Sequence, residues 1–312
     1  AILREESFCT QFMGKYPVLF VSLKDFKGLT FAAARSELAN TLRECAESFA
    51  YLQESPRLTE SEKSFVRSCS DWDYLQDPAH FEVAKKFLSR MTYLLAKHFE
   101  RRVVLLIDEY DVPLQKSAKA GYYDEMLAFM QSFLALLKPG SSLRINGLPV
   151  LRKTVLTGCL RVSKASIFTD VNNFDVNTVC MQGGPLAAAI GFTAAEVDDL
   201  LTYYGLRAQK PVVTRWYDGY RIGAAEVYCP WDVVRFCNDL LVNDASAQDF
   251  QPENYWADTS SNDVIEDFLE FLPPADTDKM QTLVDGGTIE FTVNEQLTYG
   301  DFRLHRADDF WT

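Results

Sequence analysis

The sequence predicts an α/β fold, with a parallel sheet flanked by helices and a mainly helical second domain. Two short apolar runs, residues 16–23 and 103–107, have the length of buried strands, and residues 153–156 are predicted to form a third short strand. Segments whose apolar residues recur every three or four positions separate the first two runs, which is the alternation that a parallel sheet needs. After residue 190 the pattern changes to helix, turn, small hairpin and helix.

The first predicted strand, residues 16–23, ends at a Lys-Asp pair. An apolar stripe predicts one long amphipathic helix over 31–52, and a similar stripe predicts one helix over 81–99. Between them, Thr59 and Glu62 have the spacing of a capping box, which predicts the start of another helix.

The run 103–107 consists of five consecutive β-branched or leucine residues. It has no polar face, so it predicts a strand buried on both sides in the middle of a parallel sheet. Asp108, Glu109 and Asp111 follow directly. Their carboxylates would lie at the C-terminal edge of the strand, where open α/β sheets bind their ligands.

An apolar run that ends in Asp108-Glu109 has the form of a Walker B strand. In such strands the first acid holds the Mg²⁺ that bridges nucleotide phosphates, and the second orients or deprotonates the attacking water. Asp108 is therefore a candidate metal ligand, and Glu109 is a candidate catalytic residue. The alternative is a buried strand that runs into an acidic surface turn, with Pro113 preventing further pairing.

The third predicted strand, residues 153–156, follows a predicted helix over 122–137 and leads into Thr157 and Arg161. In P-loop ATPases the strand beside Walker B commonly ends in a polar residue that senses the γ-phosphate, and a nearby basic residue offsets charge. Thr157 and Arg161 are candidates for these two roles. A glycine-containing turn with a surface arginine is the alternative, and the local sequence leaves both open.

The second part of the chain begins with another capping box, Thr193 with Glu196. Asp218-Gly219 predicts a turn between aromatic residues, and Pro230 suits the first turn of a later helix. Helix, hairpin and helix predict a winged-helix-like second domain. Further on, the alternating residues 288–293 predict an exposed strand.

Composition excludes several classes of protein. The net charge of −13 argues against a chain-wide phosphate-binding surface, although it does not exclude a local basic groove. The seven cysteines are scattered and lack a C-x-x-C pair, which is typical of reduced thiols in a cytoplasmic protein. No apolar run approaches the length of a membrane span, so no membrane partner is expected.

Together these motifs resemble the bacterial AAA-ATPase-like family. The resemblance covers nearly the whole chain, in order, and is carried by residues 105–114, 157–168 with 172–174, 216–220 and 228–231. It implies a P-loop NTPase core with a helical lid, and ATP and Mg²⁺ as ligands. It also implies that Asp108 holds Mg²⁺, that Glu109 acts on the attacking water, and that Thr157 and Arg161 lie near the γ-phosphate. Asp111 matches the family motif too, and we expect it to shape the turn.

One departure from the family is the absence of a Walker A sequence. Family members carry this loop ahead of the matching region, whereas no G-x-x-x-x-G-K-[ST] occurs here, and Gly14-Lys15 is followed by Tyr16. The chain is therefore expected to be a fragment. Residues 1–190 would be an ATPase core without Walker A, 191–272 the lid, and 273–312 a segment leading toward a missing PD-(D/E)XK nuclease-like domain.

Two functions remain open. The full-length protein would be a Mg²⁺-dependent ATPase that governs a fused nuclease-like domain acting on DNA, while the isolated chain would be inactive. Alternatively, the chain is a non-catalytic binding or regulatory module with a degenerate nucleotide site. Arg161 would act either within its own subunit or across an interface of a homo-oligomer.

Overall fold

The computed structural model describes residues 5–138, 140, 143–159, 174–178, 186–242, 250–255, 269, 272–294, 297–302 and 310–311. The chain forms two compact units. The first unit comprises Ala1–Phe174 and Pro273–Thr312, and the second comprises Asp175–Leu272. The assignment of residues 1–190, 191–272 and 273–312 to an ATPase core, a lid and a connecting segment stays a prediction.

The first unit combines α-helices with short strands. In chain order its described elements are α1 Glu6–Phe12, β1 Val18–Ser22, α2 Phe31–Glu47, α3 Glu60–Cys69, α4 Trp72–Gln76, α5 Phe81–Lys85, α6 Phe87–Phe99, β2 Val103–Asp108, α7 Val112–Ala120, α8 Tyr123–Phe133, β3 Arg144–Ile145, β4 Leu148–Pro149 and β5 Leu151–Leu156.

A three-stranded parallel sheet of order β1-β2-β5 forms the centre of this unit. Leu105 of β2 lies opposite Leu19 of β1 and Thr154 of β5. The prediction of a parallel α/β sheet with the 103–107 strand in the middle is confirmed. Since all three strands run in one direction, their carboxyl ends lie at the same edge.

Only one face of this sheet is fully buried. Val103, Leu105 and Ile107 alternate along β2 as core residues. The opposite face is more open, since Phe20 is 55% exposed and Val155 is 42% exposed. Burial on both sides was therefore the wrong expectation for β2. An apolar sequence permits a covering layer on each face, but it does not supply one.

The helices follow the predicted apolar stripes with two differences in their bounds. The capping box is confirmed, because the Glu62 amide donates to Thr59 Oγ1 at 3.4 Å and the Thr59 amide donates to Glu62 Oε2 at 2.7 Å. The long second helix ends at Glu47. The single helix over 81–99 is wrong, since the backbone of Lys86 (φ −95°, ψ 0°) separates α5 from α6. Both helices pack apolar side chains on the same core, so the stripe did not reveal the break.

The second unit has its own core and a small antiparallel sheet. Its described elements are β6 Phe192–Thr193, α9 Ala194–Tyr203, α10 Lys210–Tyr217, β7 Asp218–Ile222, β8 Ala225–Tyr228 and α11 Pro230–Val242. The sheet has the order β6-β8-β7. The capping box of Thr193 with Glu196 is present, as predicted.

The hairpin of the second unit turns later than predicted. Asp218 and Gly219 lie within β7, and Gly219 (φ +149°) sits where the register with β8 shifts. The turn is instead at Gly223-Ala224, between the paired residues Ile222 and Ala225. Gly223 supplies the positive φ (+60°) that a two-residue hairpin turn needs.

The C-terminal part of the first unit is helical where it is described. It contains α12 Pro274–Val284 and α13 Tyr299–Phe302. The strand predicted over 288–293 is wrong, since these residues belong to no strand. An alternation of apolar and polar residues leads to a strand only where another strand is available for pairing, and no described strand pairs with residues 288–293. No helix in the described parts is both long enough and apolar enough to cross a membrane.

The core packing of β2 leads to a stability prediction. Leu105 has no exposed surface, so Leu105→Ala should leave a cavity and lower the free energy of unfolding by about 2–5 kcal/mol. Leu29 is 89% exposed, and the matched change Leu29→Ala should stay within about 0.5 kcal/mol. Urea unfolding of both variants checks this, and equal midpoints would contradict the packing described here.

Candidate functional site

The ends of the three parallel strands meet at Asp108, the last residue of β2. Thr157, which directly follows β5, donates its hydroxyl to Asp108 Oδ1 at 2.6 Å. Ser22, the last residue of β1, lies opposite Asp108 in the register, and its hydroxyl is 3.5 Å from Asp108 Oδ2. The structure thus brings together two residues predicted from the sequence, Asp108 and Thr157, and adds Ser22. We call these three residues the Asp108 cluster.

The donor atoms of the Asp108 cluster fit a magnesium ion. The cluster offers one carboxylate and two hydroxyl groups, and oxygen donors are the ones that Mg²⁺ prefers. Within the described residues no group of three or more His, Cys, Asp or Glu side chains could hold a metal. The protein side chains alone would thus leave most positions around the ion to water and phosphate, which is how Mg²⁺ is commonly bound beside nucleotides.

Glu109 begins the turn that follows β2. Its backbone is left-handed (φ +50°), a conformation that costs a non-glycine residue about 1–2 kcal/mol. The Val112 amide donates to the Glu109 carbonyl at 3.2 Å, and the Tyr110 amide donates to the Thr157 carbonyl at 3.0 Å. The turn is therefore hydrogen-bonded internally and to the residue after β5. Such strained residues cluster at functional sites.

The Glu109 side chain is half-buried, and Glu109 directly follows Asp108 in the chain. Among the residues that the structure describes, it has no hydrogen-bonding or ion-pair partner. Burial raises the pKa of the Cys159 thiol, and the negative charges of Asp111 and then of Glu109 raise it further. The Glu109 carboxylate is therefore close enough to Cys159 for its charge to influence the thiol.

Asp111 is the buried acid of the turn, with 1% of its surface exposed. Its Oδ2 atom accepts the backbone N–H of Cys159 at 2.9 Å and the hydroxyl of Tyr299 at 2.8 Å. Gly158 lies against it so closely that a Cβ atom there would be 2.5 Å from Asp111 Oδ1. The loop after β5 can pass Asp111 only because residue 158 has no side chain.

Sequence reasoning missed two residues of this site. Ser22 follows the same rule as Asp108 and Thr157, since it is a polar residue at the carboxyl end of a parallel strand, and that signal could have identified it. Tyr299 carried no such signal, because its partner Asp111 is 188 residues away in the chain. The other predicted catalytic residue, Arg161, lies outside the described residues. The roles given to Asp108, Glu109, Thr157 and Arg161 stay predictions.

Comparison with known proteins identifies a family. The model of the AAA-ATPase-like family, described as "Predicted AAA-ATPase", matches residues 2–168, more than half of the chain. A protein of Azotobacter chroococcum mcd 1, "Uncharacterized protein in vnfD 5'region", is 27% identical over 169 residues. This match covers 54% of the chain and 29% of the relative, so the chain spans less than a third of that protein. No solved structure matches the chain.

The proximity of Glu109 to Cys159 can be measured without a nucleotide. Because a negative charge disfavours the thiolate, Glu109→Gln should lower the pKa of Cys159. Alkylation of Cys159, followed by peptide mass spectrometry over an alkaline pH series, should then begin at lower pH than in the wild-type protein. Glu37→Gln, on the exposed side of α2, is the matched control and should leave the profile unchanged. An unshifted Cys159 profile in Glu109→Gln would refute this proximity.

Proposed function

Because the chain belongs to the AAA-ATPase-like family, we propose that it forms the metal-binding and water-activating side of an ATP site in a Mg²⁺-dependent ATPase. The observation that carries this proposal is the Asp108 cluster followed by Glu109. The Asp108 carboxylate, at the end of the central strand β2, accepts a hydrogen bond from the Thr157 hydroxyl, just after β5. The second carboxylate, that of Glu109, comes next in the chain. Nucleotides bind at this edge of open α/β sheets.

The proposed roles follow from the position of each group. Asp108, with the hydroxyl of Ser22 close by, would hold Mg²⁺, whose charge would offset that of the phosphates. Glu109 would accept a hydrogen bond from the attacking water and orient it toward the γ-phosphate. Thr157 would donate its hydroxyl to a γ-phosphate oxygen when that oxygen replaces the Asp108 carboxylate as acceptor.

Affinity for the phosphates needs a further element that the 312 residues do not contain. Without the backbone amides and the lysine of a G-x-x-x-x-G-K-[ST] loop, the β-phosphate has no cradle. Our proposal is that this loop, and with it a complete P-loop fold, comes from another part of the protein. The 29% share of the matched relative's length is consistent with this. The alternative is a non-catalytic binding or regulatory module, and it rests on the same absence of a G-x-x-x-x-G-K-[ST] sequence from the 312 residues.

The proposal extends to the rest of the protein. The strand order β6-β8-β7, with α9 and α10 between β6 and the hairpin, supports a winged-helix-like lid. The family resemblance suggests a nuclease-like domain that ATP hydrolysis would control and through which DNA would be bound. A cytoplasmic location is consistent with the described cysteines, which are free thiols. Arg161 would complete the site from the same subunit or from a second copy.

The decisive experiment measures ATP binding and hydrolysis by the complete protein, with and without DNA, and by residues 1–312. We expect Mg²⁺-dependent hydrolysis by the former and little or none by the latter. In the complete protein Glu109→Gln should retain ATP binding and lose roughly 100-fold or more in kcat, because it removes the group that orients the water.

Glu37→Gln serves again as the control and should hydrolyse ATP normally. Normal turnover by Glu109→Gln would remove the role proposed for this residue. Substantial Mg²⁺-dependent hydrolysis by residues 1–312 would disprove the need for an added phosphate-binding loop. Absence of both binding and hydrolysis in the complete protein would favour the non-catalytic module.

A further inference from the structure

We infer that Asp111 and Tyr299 are positioning residues of this site, and that the placement of Thr157 depends on the docking of the C-terminal segment of the first unit. The link runs from Tyr299 through the Asp111 carboxylate to the loop at residues 157–159. The role of Thr157 as a γ-phosphate contact rests on the proposed function. The hydrogen-bonded link from Tyr299 through Asp111 to the loop does not depend on it.

The link depends on the buried carboxylate of Asp111. One oxygen of this buried carboxylate accepts two donors, the Cys159 amide and the Tyr299 hydroxyl. Hydrogen bonds to an ionised carboxylate are stronger than those between neutral groups, and they gain further strength where water is excluded. Tyr299 is itself 4% exposed, and the pKa of its hydroxyl is raised, first by burial and then by the charge of Asp111. The phenol therefore stays protonated and remains a donor.

The loop after β5 is held by backbone hydrogen bonds and by Asp111. Thr157 donates its amide to the Ile107 carbonyl at 3.0 Å and accepts the Tyr110 amide at 3.0 Å, so the β2–β5 pairing continues past the strand. Gly158 then lies against Asp111, and the Cys159 amide donates a hydrogen bond to the Asp111 carboxylate. Asp111 is the last described anchor of the loop. A shift of this anchor would move the backbone that aims the Thr157 hydroxyl at Asp108.

The short helix α13 carries Tyr299. It has four residues, so it is too short to be stable by itself. Asp301 accepts the Thr298 amide at 3.0 Å and the Thr298 hydroxyl at 2.6 Å, which fixes its first turn. Gly300 faces the ring of Tyr123 on α8, where an added Cβ would be 3.2 Å from the ring. Through its hydroxyl, Tyr299 connects this small element to Asp111 at the edge of the sheet.

The segment that carries Tyr299 comes late in the chain and returns to the first unit. Pro273–Thr312 follows the second unit in sequence and belongs to the first unit. Any event that displaces α13 would remove one donor from Asp111 and loosen residues 157–159. The site would then sense whether this segment is docked, and it would lose its γ-phosphate contact when the segment is released.

The test uses Tyr299→Phe, which removes the hydroxyl and keeps the ring. Tyr122→Phe is the matched control, because Tyr122 is also buried (7% exposed) and its hydroxyl donates to the Gly28 carbonyl at 2.7 Å. In nucleotide-free protein, amide hydrogen exchange of peptides that include residues 157–159 should be about tenfold faster in Tyr299→Phe and unchanged in Tyr122→Phe. Asp111→Asn is a second variant, and it should speed exchange in the same peptides.

The outcomes are distinct. Unchanged exchange at 157–159 in Tyr299→Phe, or an equal increase in Tyr122→Phe, would overturn the inference. In the complete protein, Tyr299→Phe should lower kcat about tenfold and leave the affinity for Mg²⁺-ADP unaltered, because ADP has no γ-phosphate for Thr157 to contact. An equal loss of ADP and ATP affinity would also contradict it. If the wild-type protein hydrolyses no ATP, the proposed function fails, while the exchange measurement still decides whether Tyr299 holds the loop.

Discussion

The parallel pairing of β2 with β1 on one side and β5 on the other is the constraint on which the rest of the structure depends. The register places Ser22 opposite Asp108 and Ile107 opposite Leu156, so the residues after the three strands emerge together. It also buries Leu19 and Leu105 on the same face. A slip of one residue in β2 would reverse its faces, expose the core leucine and carry Asp108 away from Thr157. Burial of the apolar face therefore fixes the geometry of the polar edge.

Three acids lie within four consecutive residues, 108–111, and the structure gives each of them a different environment. Asp108 accepts a hydrogen bond from the Thr157 hydroxyl. Asp111 is buried and accepts hydrogen bonds from the Cys159 amide and the Tyr299 hydroxyl. Glu109 occupies a left-handed backbone position and keeps a half-buried carboxylate. Neighbouring carboxylates that differ this much in solvation and in hydrogen bonding can serve different purposes, one structural and the others chemical.

Much of this arrangement was predictable from local patterns. Strand runs and capping boxes depend on nearby residues, and the meeting of Asp108 with Thr157 follows from the rule that parallel strands end at one edge. Other features depend on partners that sequence patterns do not specify. The break at Lys86 does not disturb the apolar stripe, and the Asp218-Gly219 signal marked an irregularity within β7 rather than its turn. Nothing near Tyr299 reveals a bond to Asp111, because that contact exists only after folding.

The open face of the parallel sheet has a consequence for the behaviour of the polypeptide in solution. Phe20, Leu106 and Val155 form one row across the three strands, and the two outer members are substantially exposed. Such an apolar strip is adhesive, and the net charge of −13 opposes its contact with a second molecule by mutual repulsion. Added electrolyte shortens the range of that repulsion and leaves the adhesion intact. We therefore expect dilute buffers to keep these 312 residues dispersed and concentrated salt to promote their self-association.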